Sequence, residues 1–182
     1  KDSDIKRGYE NITANTYFKQ NFKNSDVAIR HWRSNGKVEY LDFFLSPLDQ
    51  DFVNQSTAFE LNNNINETIK SKLLVSHMKD DIKQNQSTDY VTSKRMVFDG
   101  QMEFSVENHN LMAGVFLSDE EAASFAWGSG FTEDTETKAF FIQDNIVEGE
   151  HRIFLAGRYI DHETFGDEFV WNAEYGIDIN DR

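Results

Sequence analysis

Five histidines could in principle bind metal or move protons: His31, His77, His109, His151 and His162. No two of them stand at the i, i+2 spacing of strand ligands or the i, i+4 spacing of helix ligands, so no metal site is assigned. Asp161-His162-Glu163 follows an apolar stretch ending at Tyr159. An Asp–His pair at a strand end is one form a general base takes. The plainer reading of this triplet is a polar loop. No Gly-x-Ser-x-Gly, His-Glu-x-x-His, Walker loop or Gly-x-Gly-x-x-Gly is present. The acidic runs Glu133-Asp134-Thr135-Glu136 and Asp178-Ile179-Asn180-Asp181 lack the glycine and the final glutamate of an EF-hand loop. No residue is therefore assigned as catalytic, and no cofactor is identified.

The aromatic residues are the richer resource. The chain has 16 Phe, 6 Tyr and 3 Trp. By the period-2 rule Phe125, Trp127 and Phe131 share one strand face, and Phe169, Trp171 and Tyr175 share another. A packed core is the plain assignment. The sharper one is a barrel interior that holds a small apolar or aromatic ligand. On that reading the ligand-binding residues are Trp127, Arg158, Tyr159 and Trp171. Arg158 stands beside Tyr159 in a very acidic region, where it either pairs internally or meets an anionic ligand group.

That acidity is unevenly spread. The net charge is −14, yet residues 1–97 sum to +1 and residues 98–182 to −15. A phosphate backbone would be repelled by the second half, which argues against nucleic acid and for a basic protein partner or plain solubility. There is no cysteine, which excludes disulfide scaffolds and thiolate sites. No apolar run is long enough for a transmembrane helix, so no transmembrane segment is expected. The first residues, Lys1-Asp2-Ser3-Asp4, are polar and carry no apolar leader, which suits a mature secreted or otherwise extracytoplasmic chain.

The elements that must position these residues read as α+β. Ile12–Phe22 suggests a short helix. Val27–Arg33 and Lys37–Leu45 flank Ser34-Asn35-Gly36, and Asn-Gly supplies the positive-φ pair of a type I′ turn, so a β-hairpin is expected there. Leu61, Ile65, Ile69 and Leu73, widened by Leu74, Met78 and Ile82, predict one long amphipathic helix over 60–84. The polar stretch 84–89 divides an N-terminal hairpin and helix region, 1–89, from an acidic β region, 90–182, within two domains or one compact unit. The second region reads as a six- to seven-stranded antiparallel meander, a barrel or strongly bent sheet, over 90–98, 101–107, 110–117, 122–131, 137–143, 151–161 and 167–177. Asp99-Gly100 marks a hairpin between the first two.

Two stretches resemble known families. Ala156-Gly157-Arg158-Tyr159-Ile160-Asp161 is similar to the late strands of NTF2-like (SnoaL-like) cone proteins. That resemblance implies a hydratase or isomerase pocket in which Asp161, His162 or Arg158 transfers protons. Phe98 through Asn108, on to Gly114, resembles a strand pair of the transferrin-binding-protein-like barrels of bacterial surface lipoproteins and haemophores. Taken together, the expected function is a non-enzymatic, extracytoplasmic or surface-associated binding protein. The NTF2-like enzyme and an acidic inhibitor or immunity protein stand as alternatives.

Overall fold

The structure, a computed structural model, describes residues 7–179. It is all-β. Nine strands run in chain order in one open antiparallel sheet: β1 (Tyr9–Asn21), β2 (Ser25–Leu41), β3 (Pro47–Asn64), β4 (Ile69–Gln84), β5 (Tyr90–Val106), β6 (His109–Ala126), β7 (Ser129–Glu148), β8 (His151–His162) and β9 (Gly166–Ile177). Every neighbour pair is a hairpin, and pairing continues through the 84–89 break, where β4 pairs with β5. The outer edges of β1 and β9 carry no partner strand among the described residues.

The α+β expectation is thereby corrected, along with both helices: Ile12–Phe22 falls in β1, and 60–84 is the end of β3, a turn and β4. The reason lies in the spacing. A repeat of four satisfies a strand's period of two as well as a helix's 3.6. Leu61 and Leu73 are direct cross-strand partners on one face, while Leu74, Met78 and Ile82 lie on the other face of β4. A stripe widened to both parities places apolar residues on both faces of one strand.

The two expected turns are also absent. Asn35-Gly36 lies inside β2, opposite Asn11-Ile12 and Phe52-Val53, and Asp99-Gly100 lies inside β5. Gly36 is needed there for space: a Cβ would collide with the Glu10 carbonyl of β1 and lie 2.8 Å from the Phe52 ring. Strands expected at 90–98 and 101–107 are thus one strand, as are 110–117 and the first half of 122–131, while 129–131 and 137–143 both belong to β7. β8 and β9 stand where the sequence put them, and the turns at 107–108, 149–150 and 163–165 follow its polar breaks.

The true I′-like turn joins β6 to β7. Trp127 (φ 57°) and Gly128 (φ 82°) form a two-residue loop with both residues left-handed. A tryptophan there is strained, and its side chain is 93% exposed, so no packing offsets the strain. Trp127→Asn is expected to raise the stability of this hairpin by about 1 kcal/mol, read as a shift in the chemical-denaturation midpoint.

Cross-strand register assigns each residue to a face. One face carries the row Val27, Leu61, Leu73, Gly100, Val115, Phe140, Tyr159, Phe169, and the next row begins Phe18, Ile29, Phe59, Val75, Phe98, Leu117. The other face carries Arg30, Glu60, Ser76, Arg95, Asp99, Ser118, Glu120 and Arg158. On β5 to β8 this second face, polar on β5 and mixed on β6 to β8, is the more shielded one. On β8, Phe154, Ala156, Arg158, Ile160 and His162 are half-buried while Ile153, Leu155 and Tyr159 are exposed. On β6, Gly114 and Ser118 are buried while Val115 and Leu117 are exposed. Across β5 to β8 the sheet therefore curves with this side inward.

No second layer covers the convex side. The only buried apolar residues are Ala28, Ala123 and Ala139, and no large side chain is fully buried among the described residues. The accessible surface is 13277 Å². A compact monomer of this mass exposes about 9,000 Å².

Candidate functional site

The concave face holds a cavity of about 830 Å³ spanning β2 to β7. Trp32 on β2 and Met78 on β4 supply its apolar surface; Asn54 and Ser56 on β3 supply neutral polar groups. Arg95 on β5 and Glu120 on β6 are direct cross-strand partners, with Arg95 Nε 3.1 Å from Glu120 Oε1. Buried Ser118 knits them together: its Oγ accepts from Arg95 Nε at 3.2 Å and donates to Glu120 Oε1 at 3.3 Å. Asp80 and Glu133 leave the cavity with an acidic excess. Such a lining stacks a flat or ring-shaped group on Trp32 and hydrogen-bonds its polar edge. Nothing in it pairs a nucleophile with a base.

Ion pairs recur over the rest of this face. Lys19 Nζ lies 3.0 Å from Asp26, Arg30 Nε 3.6 Å from Glu60, and Lys70 Nζ 3.2 Å from Glu103. All are cross-strand neighbours or diagonals, the positions at which a sheet brings opposite charges together.

The convex face is organised in a band. On β5 and β6 it runs from Phe98 to Val106 opposite His109 to Leu117, nine residues on each strand, with Phe104, Met102, Leu111 and Val115 between. On β7 to β9 it is continued by Ile142, Ile146, Leu155, Ile153, Trp171 and Tyr175. Beyond it lie two charged stretches: Asp119 opposite Glu136 in one row, and Lys138, Asp161 and Asp167 on β7 to β9 in the row that begins the band at Phe98 and Leu117. The band steps along the strands from pair to pair, as it does when strands tilt against a slab. Asp144, the carboxylate within the band on β7, lies 2.6 Å from His109 Nδ1.

At the end bearing the β2–β3 and β4–β5 turns, Asp49 is a clasp. It accepts hydrogen bonds from Asn85 and Gln86 and pairs with Lys37. The Lys37 ammonium, then the two amides, hold its carboxyl at about 2, below its ordinary 3.8. A lowered carboxyl stabilises the fold above its unfolded value and loses that contribution as pH falls. Amide exchange in the 85–89 turn should therefore stay slow down to about pH 4 and accelerate as pH drops from 3.8 toward 2.

The residues singled out in the sequence fall in three places. Tyr159 and Trp171 share the convex face on adjoining strands, whereas Arg158 points to the concave side. Trp127 is in the exposed β6–β7 turn. Phe169, Trp171 and Tyr175 do share a face, but Phe125 is convex and Phe131 concave. Asp161 and His162 point to opposite faces, and His162 Nδ1 accepts backbone N–H groups of Thr164 and Phe165. Glu133 and Asp134 alternate faces on β7; Asn180 and Asp181 lie outside the described residues. Trp32, Arg95 and Glu120 were missed because only the register from β2 through β6 places them on one face.

The chain matches no protein-family model and no curated protein. No helix among the described residues is long and apolar enough to cross a membrane, a statement that leaves strands untouched.

Proposed function

We propose that this chain forms part of the wall of a transmembrane β-barrel whose concave face lines a polar lumen for polar solutes. The observation that carries the proposal is the inversion of the faces. A barrel in water buries apolar side chains inside and shows polar ones outside. Here the band rows of the exposed convex face are apolar and its lysine–carboxylate pairs, Lys37–Asp49, Lys79–Asp81, Lys94–Glu121 and Lys138–Glu136, lie beyond the band, while the concave face carries ion pairs and polar groups alongside Phe116, Phe141 and Phe154. That arrangement suits lipid outside and water within.

The dimensions agree. A barrel strand crosses a bilayer in about 9–11 residues, and the convex band on β5 and β6 is nine residues deep. At about 3.3 Å per residue it runs about 27 Å along the strand, or about 20 Å when tilted by about 40°. Strands in hydrocarbon must be closed, because an open edge leaves unpaired backbone groups there. The edges of β1 and β9 therefore require further strands. Nine strands do not close on themselves here, so the complete ring is wider than nine and its lumen is broad. The binding role expected from the sequence is retained, relocated to the concave cavity and to polar rather than apolar cargo. Purified protein mixed with lipid vesicles should float with them and resist alkaline extraction. Release into the soluble fraction by alkali would contradict the proposal.

A further inference from the structure

We infer that Arg158 is the anchor of a binding site for small oxyanions, the carboxylate or phosphate group of a polar solute, on the concave face near β8. The inference rests on the polar-lumen reading. Arg158 is half-buried among concave residues and opens on a cavity of about 410 Å³ shared with Asp99, Gln101, Gln143 and Asn172. Its guanidinium carbon lies 5.7 Å from the centre of the Phe116 ring. An aromatic face orients a guanidinium without using its N–H fork. Its Nε is sealed from solvent and has no hydrogen-bond partner among the described residues. A shielded donor left unmatched is costly, and a guanidinium fork fits an oxyanion with two parallel hydrogen bonds.

The setting sharpens the argument. Residues 98–182 hold 19 acids against four cations. Lys138 pairs with Glu136 at 2.6 Å and Arg152 with Asp178 at 2.7 Å; Arg182 lies outside the described residues. Arg158 has no acidic partner among the described residues, although acids surround it. Asp99, which lines the same cavity, is held by an amide instead: Gln101 Nε2 donates to Asp99 Oδ1 at 2.9 Å, as Asn172 Nδ2 donates to Glu174 Oε1 at 2.6 Å on the same face. This leaves a guanidinium in the cavity wall with no ion-pair partner among the described residues.

Isothermal titration of the detergent-solubilised protein with inorganic phosphate, and separately with succinate, tests this. Saturable binding of at least one is expected, and which one binds separates a phosphate from a carboxylate ligand. Arg158→Gln should weaken it by about tenfold or more, the worth of one charged hydrogen-bonding group. Arg158→Lys, which keeps the charge and loses the fork, should weaken it by a smaller factor and guards against a folding defect in the first variant. Lys72→Gln, which removes an exposed concave cation on β4, should leave it unchanged. Absence of saturable binding of either anion, or equal binding by wild type and Arg158→Gln, would overturn the inference. Titration in detergent does not need insertion, so anion binding by a protein that fails to float with vesicles would overturn the membrane reading alone.

Discussion

Val115→Arg is expected to block stable insertion of the protein into vesicles, whereas Ser76→Arg leaves insertion intact. Val115 lies within the convex band, two residues inside its Leu117 end, between Gly100 of β5 and Phe140 of β7, and is 40% exposed. An arginine there would face hydrocarbon at a depth between the interface, where the cost is about 0–1 kcal/mol, and the bilayer midplane, where it is about 2–4 kcal/mol. Ser76 lies on the concave face of β4, opposite Ala58 and Val97, where a cation meets water and neighbouring acids. The two substitutions add the same side chain to interior strands of one sheet, β6 and β4, so a difference between them reports the face. Folding yield into vesicles of defined lipid, followed by the gel shift between folded and heated protein, reads both. Equal tolerance at the two positions would argue that the convex side meets water or protein.

Gly36→Val is expected to peel β1 from the sheet. The new side chain would strike the Glu10 backbone and the Phe52 ring, and backbone cannot move aside as a flexible side chain can. Overpacking of this kind costs about 1–3 kcal/mol. β1 is an edge strand with a single partner, so the loss should localise there. Hydrogen exchange should become fast across Tyr9–Asn21 and stay slow in β3 to β6. Unchanged protection in β1 would show that the β1–β2 spacing relaxes around a side chain.

The same glycine shows why part of this fold was legible and part was not. Alternation in Gln101-Met102-Glu103-Phe104-Ser105-Val106 is a strand pattern on its face, and so are β8 and β9. Asn35-Gly36 and Asp99-Gly100 are turn dipeptides by local chemistry, yet both lie mid-strand. At Gly36, cross-strand crowding from β1 and β3 sets the requirement, and these neighbours are distant in sequence. The 60–84 stripe failed as a helix because its repeat of four fits both periods. Site residues were harder still. Arg158 and Tyr159 are adjacent in sequence and lie on opposite sides of the sheet, while Arg95 and Glu120 are distant in sequence and touch. The inversion of faces was hidden for the same reason, since composition does not say which parity points inward.

The three tryptophans offer the most direct test of that inversion. Trp32 is concave, Trp171 is convex within the band, and Trp127 is in the β6–β7 turn beyond the charged stretches. Proteins carrying each tryptophan alone, the other two changed to phenylalanine, would be folded into vesicles containing lipids brominated along the acyl chain. Strong quenching of Trp171, with Trp32 and Trp127 little affected, is the result predicted. Quenching of Trp32 equal to that of Trp171, or no quenching of Trp171, would contradict a lipid-facing convex side.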